Sequence, residues 1–260
     1  MAFTMITGAT GGLGSAFARE SAERGDDLFL TARSEEKLSA LCNDLHSLYP
    51  KQEFRYFACD LTDSESRQAL FAAAQNLPLK RLLNVAGADI QKAFCAYTQE
   101  KILFQCRVNF ESAVAITHFF LQHCMEKAEV LTVSSISAVY PMPYFALYSA
   151  TKKAEQQFFC ALHCELKNRN IHVTTLLPGA IPTRPDVIED IRRQGLWGRM
   201  AKLAPARVAK IGLDAVRKNK NCVIPGFWNK CMRFFTAPIP LALKMRFIQK
   251  RWSKQEKDAF

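Results

Sequence analysis

Apolar and polar positions follow two rhythms along this chain, and together they predict a layered α/β fold. Short apolar runs suited to buried strands fall near residues 3–7, 27–31, 54–58, 81–85, 130–134, 172–177 and 222–224. Amphipathic helical stretches fill the gaps. The first takes in Ala16, Phe17 and Ala18 and runs on through Ala22, and two long ones lie near 100–127 and 147–168. Strands alternating with helices build a parallel sheet covered on both faces. The expectation is therefore a single doubly wound sheet of about seven strands, with no repeat, linker or low-complexity segment. At 260 residues and 49% hydrophobic, the chain has ample material for one such core.

The first strand runs directly into Thr7-Gly8-Ala9-Thr10-Gly11-Gly12-Leu13-Gly14, which opens the first helix. Glycine suits such a turn because its backbone angles are ones a Cβ forbids. It also lets a pyrophosphate approach the amides at a helix N-terminus, where the dipole favours negative charge. A glycine-rich turn without a ligand is the plainer alternative, but the strand before and helix after are the context the motif requires.

The second strand ends in Ala32-Arg33-Ser34. Folds that bind NAD place an acid about 20 residues after the glycines to hold the ribose 2′-hydroxyl. Here Ala32 and Arg33 stand at that place, and a guanidinium suits a 2′-phosphate. Asp26 and Asp27 precede the strand, at its other end, while Glu35 and Glu36 read as first-turn residues of a helix capped by Ser34. The reading is NADP in preference to NAD, with Arg33 as an exposed loop cation the alternative.

Tyr148 and Lys152 lie four residues apart, on one face of a predicted helix. A free tyrosine ionises near pH 10, too high for acid–base work at neutrality, and an adjacent ammonium stabilises the phenolate. A lowering of three units corresponds to about 4 kcal/mol. Ser135 follows the apolar strand Val130–Val133, at the strand end where parallel sheets bind ligands, and can steady a substrate carbonyl. Ser134 and Ser137 are rivals that position disfavours.

With these residues in place, the chain resembles the short single-domain branch of the short-chain dehydrogenase/reductase family, over almost its whole length to about residue 225. The glycine motif falls on Gly8, Gly12 and Gly14, and an Asp-hydrophobic pair on Asp60-Leu61. The Asn-Asn-Ala-Gly motif becomes Asn84-Val85-Ala86-Gly87, the helix-borne Asn is Asn109, and the Ser-Tyr-Lys set is Ser135, Tyr148 and Lys152. The Pro-Gly motif falls on Pro178-Gly179-Ala180-Ile181-Pro182-Thr183. Val85 is the one departure, at a position of structural more than catalytic weight.

The resemblance implies a Rossmann-type NADP-binding domain over 1–225, with 226–260 a C-terminal extension packed on or near it. Tyr148 would exchange a proton with the carbonyl oxygen, and Lys152 would lower the Tyr148 pKa and hold the nicotinamide ribose. Ser135 would steady the carbonyl, and Asn109 would hold a water linking Lys152 to solvent. The implied cofactor contacts are Gly8, Thr10, Gly12, Leu13, Gly14, Arg33, Asp60, Leu61, Asn84, Ala86, Gly87, Tyr148, Lys152, Pro178, Gly179, Ile181 and Thr183. The function implied is an NADP(H)-dependent oxidoreductase interconverting a carbonyl and an alcohol, more often as the reductase. A silent NADPH-binding sensor or scaffold is the alternative, and lyase or epimerase chemistry a third. Relatives use the stretch Arg184–Ala204 as a substrate lid. Ile188, Ile191, Leu196, Trp197 and Met200 there hint at a lipophilic substrate. The family also implies a homodimer or homotetramer, through the helices near 100–127 and 147–168.

Composition narrows the setting. Nine cysteines without paired spacing argue for reduced thiols and a cytoplasmic site. Cys160, His163 and Cys164 fall at helical spacing but are read as packing residues, so no metal is expected. No secretion signal and no apolar run of spanning length is read in the sequence. Of the net charge of +11, residues 217–260 carry +9, from 11 Lys/Arg against two acids. There Leu241, Met245, Ile248 and Trp252 form an apolar stripe flanked by Lys244, Arg246, Lys250 and Arg251, following Phe227, Trp228, Phe234 and Phe235. Three placements stay open: packing on its own domain, lying in a membrane surface, or closing over substrate or a sister subunit. Without a recognised motif the charge does not point to nucleic acid.

Overall fold

The computed structural model describes residues 2–193 and 201–252. Seven parallel strands form one sheet: β1 (Phe3–Thr7), β2 (Asp27–Ala32), β3 (Phe54–Ala58), β4 (Leu79–Asn84), β5 (Cys124–Val133), β6 (Ile171–Leu176) and β7 (Cys222–Val223), in the spatial order β3-β2-β1-β4-β5-β6-β7. The order reverses between β1 and β4. Connections on either side of that point leave in opposite directions, opening a crevice at the C-terminal strand ends, where such sheets bind ligands.

The helices are α1 (Gly12–Glu23), α2 (Glu35–Leu48), α3 (Ser64–Ala74), α4 (Gln99–Cys106), α5 (Ser112–His123), α6 (Ala146–Glu165), α7 (Pro185–Arg193), α8 (Pro205–Arg217), α9 (Phe227–Thr236) and α10 (Leu241–Trp252). Alternate residues of the strands feed two cores, one on each sheet face. Phe3, Met5, Phe29 and Leu82 pack with Phe120 and Phe159, while Ile6, Leu28, Leu30, Leu83 and Leu131 pack with Phe17, Val208 and Leu213. Each fully buried side chain of this kind contributes about 1.5–3 kcal/mol.

Two boundaries differ from the sequence pattern. The helix expected to reach residue 127 stops at His123, and Cys124–Lys127 are extended, with Cys124 paired to Leu79. Met125-Glu126-Lys127-Ala128 is made of helix formers, but pairing with β4 overrides that local preference. The helix expected to run to 168 ends at Glu165, and a short tight turn closes on Asn170, in the left-handed region at φ 54°.

The acids before β2 have a structural role. Buried Asp26 accepts from Thr4 Oγ1 (3.0 Å) and pairs with Lys80 (2.7 Å) and Arg81, and Arg81 also meets Glu129 at 2.5 Å. This network ties β1, β2, β4 and β5 together at the end of the sheet opposite the crevice.

Candidate active site

The loops that leave β1, β4, β5 and β6 meet over the crevice. Thr7 Oγ1 accepts from the amides of Val85 (3.0 Å) and Ala86 (3.2 Å), holding the first loop to the fourth. The amides of Ser134 and Ile136 donate to the Leu176 and Pro178 carbonyls (2.8 and 2.9 Å), joining the fifth to the sixth. Val85 packs against the apolar cluster beneath.

The glycines stand where backbone crowds backbone. Gly8 has φ +65°, and a Cβ there would lie 2.8 Å from Ala86 Cα. A Cβ on Gly12 would meet Thr183 at 2.8 Å, and one on Gly14 would sit 2.1 Å from the Gly8 carbonyl oxygen. α1 begins at Gly12 with no side-chain cap and no acid in its first turn, so its leading amides face no built-in anion. This cradle fits a pyrophosphate, with Thr10 and Leu13 on the same turn.

The other expected cofactor residues are distributed around it. Arg33 is exposed just past β2, its guanidinium 5.9 Å from the Phe104 ring centre on α4. Asp60 is exposed past β3 and accepts from Thr62 N and Oγ1 (2.9 and 2.8 Å), while neighbouring Leu61 is buried. Asn84 points inward: its Nδ2 donates to Thr117 Oγ1 at 2.9 Å, tying β4 to α5. Gly87 leaves space near Lys152, whose Nζ would lie 3.2 Å from a Cβ added there. Thr183 donates its amide to Ile181 O at 2.8 Å.

Among the catalytic candidates, Asn109 is 0% exposed, on a π-helical turn (Arg107–Glu111) between α4 and α5. Such turns concentrate at functional sites. Its Oδ1 accepts from Ala88 N (2.7 Å), and its Nδ2 donates to Ala88 O and Thr151 Oγ1 (both 3.0 Å). The side chain therefore clamps the loop after β4 to α6.

The serine rivals separate by geometry. Buried Ser134 donates to the Lys152 carbonyl at 2.7 Å, and Ser137 is buried. Partly exposed Ser135 accepts from Ser137 N at 3.1 Å and lies near enough to Tyr148 to lower its pKa. Burial raises the Tyr148 pKa well above the tyrosine range. Asp89 and Glu155 push it the same way, against Ser135 and Arg184.

Lys152 has a partner that the sequence reading did not name. Its buried ammonium donates to Val133 O at 3.0 Å and lies 2.8 Å from Oε2 of Glu155, a buried anion on the same helix.

Sequence reasoning missed several residues around the site. Glu155 was legible as a charge on the helix face that continues through buried Phe159. Asp89 and Arg184 pair at 2.7 Å, linking the loop after β4 to the segment before α7. Phe145 is buried and stacks on Tyr148 (centroids 4.3 Å apart), and Trp252 stacks on Phe145 at 5.7 Å. Asn229, 1% exposed on α9, donates to Pro225 O (2.9 Å) and Ala201 O (3.2 Å) and fills the space beside Gly179, where a Cβ would meet it at 2.8 Å. Trp252 belongs to the apolar stripe of the C-terminal segment, but no local pattern announced Asn229.

In the C-terminal segment, Met245, Ile248 and Trp252 of the expected stripe are half-buried, whereas Leu241 is exposed together with Leu243 and Phe247. Cys160 Sγ lies 3.8 Å from Thr175 Oγ1, His163 Nδ1 donates to Val173 O at 2.7 Å, and Cys164 is exposed. Of the predicted lid, Leu196, Trp197 and Met200 lie outside the described residues; Ile191 is buried and Ile188 exposed.

Known proteins resemble this chain in sequence and in fold. Hydroxysteroid dehydrogenase-like protein 1 of Gallus gallus is 27% identical over 239 residues, covering 89% of this chain and 70% of its own. Very-long-chain 3-oxoacyl-CoA reductase of Anas platyrhynchos is 29% identical over 195 residues, 70% of this chain, which spans only 61% of that protein. Among solved structures, one from a study of 7beta-hydroxysteroid dehydrogenase stereoselectivity superposes with a TM-score of 0.86 at 22% identity, covering 95% of this chain and 96% of that one. A short-chain dehydrogenase from Sphingobium yanoikuyae in complex with NADPH gives 0.75 at 21% identity, with full coverage of both. The sequence profile of short chain dehydrogenases matches residues 2–191. With that match over most of its length, the chain belongs to the short-chain dehydrogenase/reductase family of oxidoreductases.

Proposed function

We propose that the protein is an NADP(H)-dependent oxidoreductase that interconverts a lipophilic ketone or aldehyde and its alcohol, working mainly as a reductase. The observation that carries this reading is the convergence at the open end of the sheet of the glycine cradle, Lys152 beside Gly87, and Ser135 acting on Tyr148. The cofactor, when bound, supplies the hydride. Tyr148 gives the proton to the carbonyl oxygen, Ser135 holds that oxygen, and the Asn109 clamp keeps the loop and α6 in register. The Phe145 ring on Tyr148, with Trp252 stacked on Phe145, favours an apolar substrate, in keeping with the steroid and very-long-chain acyl chemistry in the names of two relatives. A panel of aldehydes, ketones and steroids incubated with NADPH tests the proposal. No oxidation with any of them would favour the alternative, a binding protein without turnover.

Arg33 supports NADP as the cofactor, as does the absence of an acid at the end of β2. Wild type should use NADPH with a Michaelis constant at least tenfold below that for NADH, about 1.4 kcal/mol of discrimination. Arg33→Ala should erase most of that difference, and a wild-type preference for NADH would overturn the assignment.

The partners proposed are the substrate, sister copies in a homodimer or homotetramer, as the family suggests, and a membrane surface touched from the cytoplasm. No described helix is long and apolar enough to cross a membrane. However, Phe227, Trp228, Phe234, Phe235 and Phe247 are each at least half exposed on α9 and α10, among Lys230, Arg233, Arg246 and Lys250. Aromatic rings beside cations suit an anionic interface. In flotation assays the full-length protein is expected to rise with anionic vesicles at low salt and much less with zwitterionic ones. Protein that stays at the bottom with both would exclude the contact.

A further inference from the structure

The catalytic ammonium has a carboxylate behind it. Glu155 lies one turn beyond Lys152 on α6, is 1% exposed, and brings Oε2 to 2.8 Å from Nζ. The approach is off the line of a hydrogen bond, and Oε2 has no other partner. The next turn of the same face carries Phe159 into the core. A space-filling residue at this position would be apolar, because an ionised carboxylate costs several kcal/mol to bury and an ion pair recovers that only with good geometry.

We propose that Glu155 is a positioning residue: it holds the Lys152 ammonium beside the Val133 carbonyl, offsets part of its charge, and so keeps Tyr148 a proton-donating phenol through neutral and mildly alkaline pH. This rests on the reading of Tyr148 as proton donor. The charged groups acting on that hydroxyl from other elements are Asp89, after β4, and Arg184, before α7. They form an ion pair with each other (2.7 Å), and of the two Asp89 acts more strongly on the hydroxyl. Ser135 is neutral, and Lys92, also after β4, lies over the Tyr97 ring. On α6 itself the charged pair is Lys152 and Glu155, of which Glu155 raises the Tyr148 pKa. Burial pushes Glu155 up to about 7, with Lys152 opposing it.

The test removes the charge in two ways, by Glu155→Gln and by Glu155→Met, which suits an apolar surround, and retains it in Glu155→Asp. Two quantities are measured. One is the alkaline limb of kcat for NADPH-dependent carbonyl reduction. The other is phenolate absorbance of Tyr148, taken as the difference from the same variant carrying Tyr148→Phe. Loss of the charge should move both at least one pH unit lower, a tenfold change in the phenolate-to-phenol ratio at fixed pH, while the Asp variant stays near wild type. A role confined to packing would change thermal stability or kcat without moving either limb. If both charge-removing variants titrate with wild type, the proposal is overturned. The absorbance readout needs no substrate, so it still decides the role of Glu155 if the carbonyl panel fails.

Discussion

Tyr148→Phe should lower turnover about a thousandfold, the middle of the range for a lost general acid, while NADPH still binds and the thermal midpoint barely moves. Phe keeps the ring, and with it the stack on Phe145 at 4.3 Å. The change therefore deletes one hydroxyl and little else. A transition state that needs a proton at the carbonyl oxygen then has no donor at that point. Steady-state kinetics with a responsive ketone, alongside NADPH fluorescence titration, separates the two quantities. Retained turnover would remove Tyr148 from the chemistry, and lost NADPH binding would show that the hydroxyl serves the cofactor instead.

Gly14→Ala should cost about 1–3 kcal/mol of stability, as overpacking does, and weaken NADPH binding at least tenfold. The added Cβ would lie 2.1 Å from the Gly8 carbonyl oxygen and 2.9 Å from Ala9 Cα. Both are backbone atoms, so the whole turn must shift, and with it the leading amides of α1. Gly11→Ala is the control. Gly11 has φ −75°, and its Cβ would find a single neighbour, at 3.3 Å. A thermal shift assay with and without NADPH checks both. Equal behaviour of the two variants would show that the crowding at Gly14 does not govern the cradle.

Much of this was legible because the informative signals are local. Each strand is a short apolar run, and the alternation of strand and helix dictates the parallel order. The glycine turn, Ser135, Tyr148 and Lys152 all follow from position within one strand–loop–helix unit. What escaped depends on which distant segments meet. The register of Cys124 against Leu79 turned helix-forming residues into strand. The inward turn of Asn84 follows from Thr117, 33 residues away, and Trp252 reaches Phe145 from the far end of the chain. Lys152 is the instructive case: its spacing from Tyr148 was visible and its separation from Glu155 equally so. That Glu155 is buried beside the ammonium is something periodicity suggests but does not measure.

The wedge of Asn229 beside Gly179 has a consequence for anyone grafting tails between members of this family. Helix α9 is tied to the body of the protein, because its Asn229 amide occupies the volume a side chain would otherwise need within the Pro178–Thr183 loop. A chimera that exchanges the tail alone should disturb that loop, so the two segments have to be transplanted together.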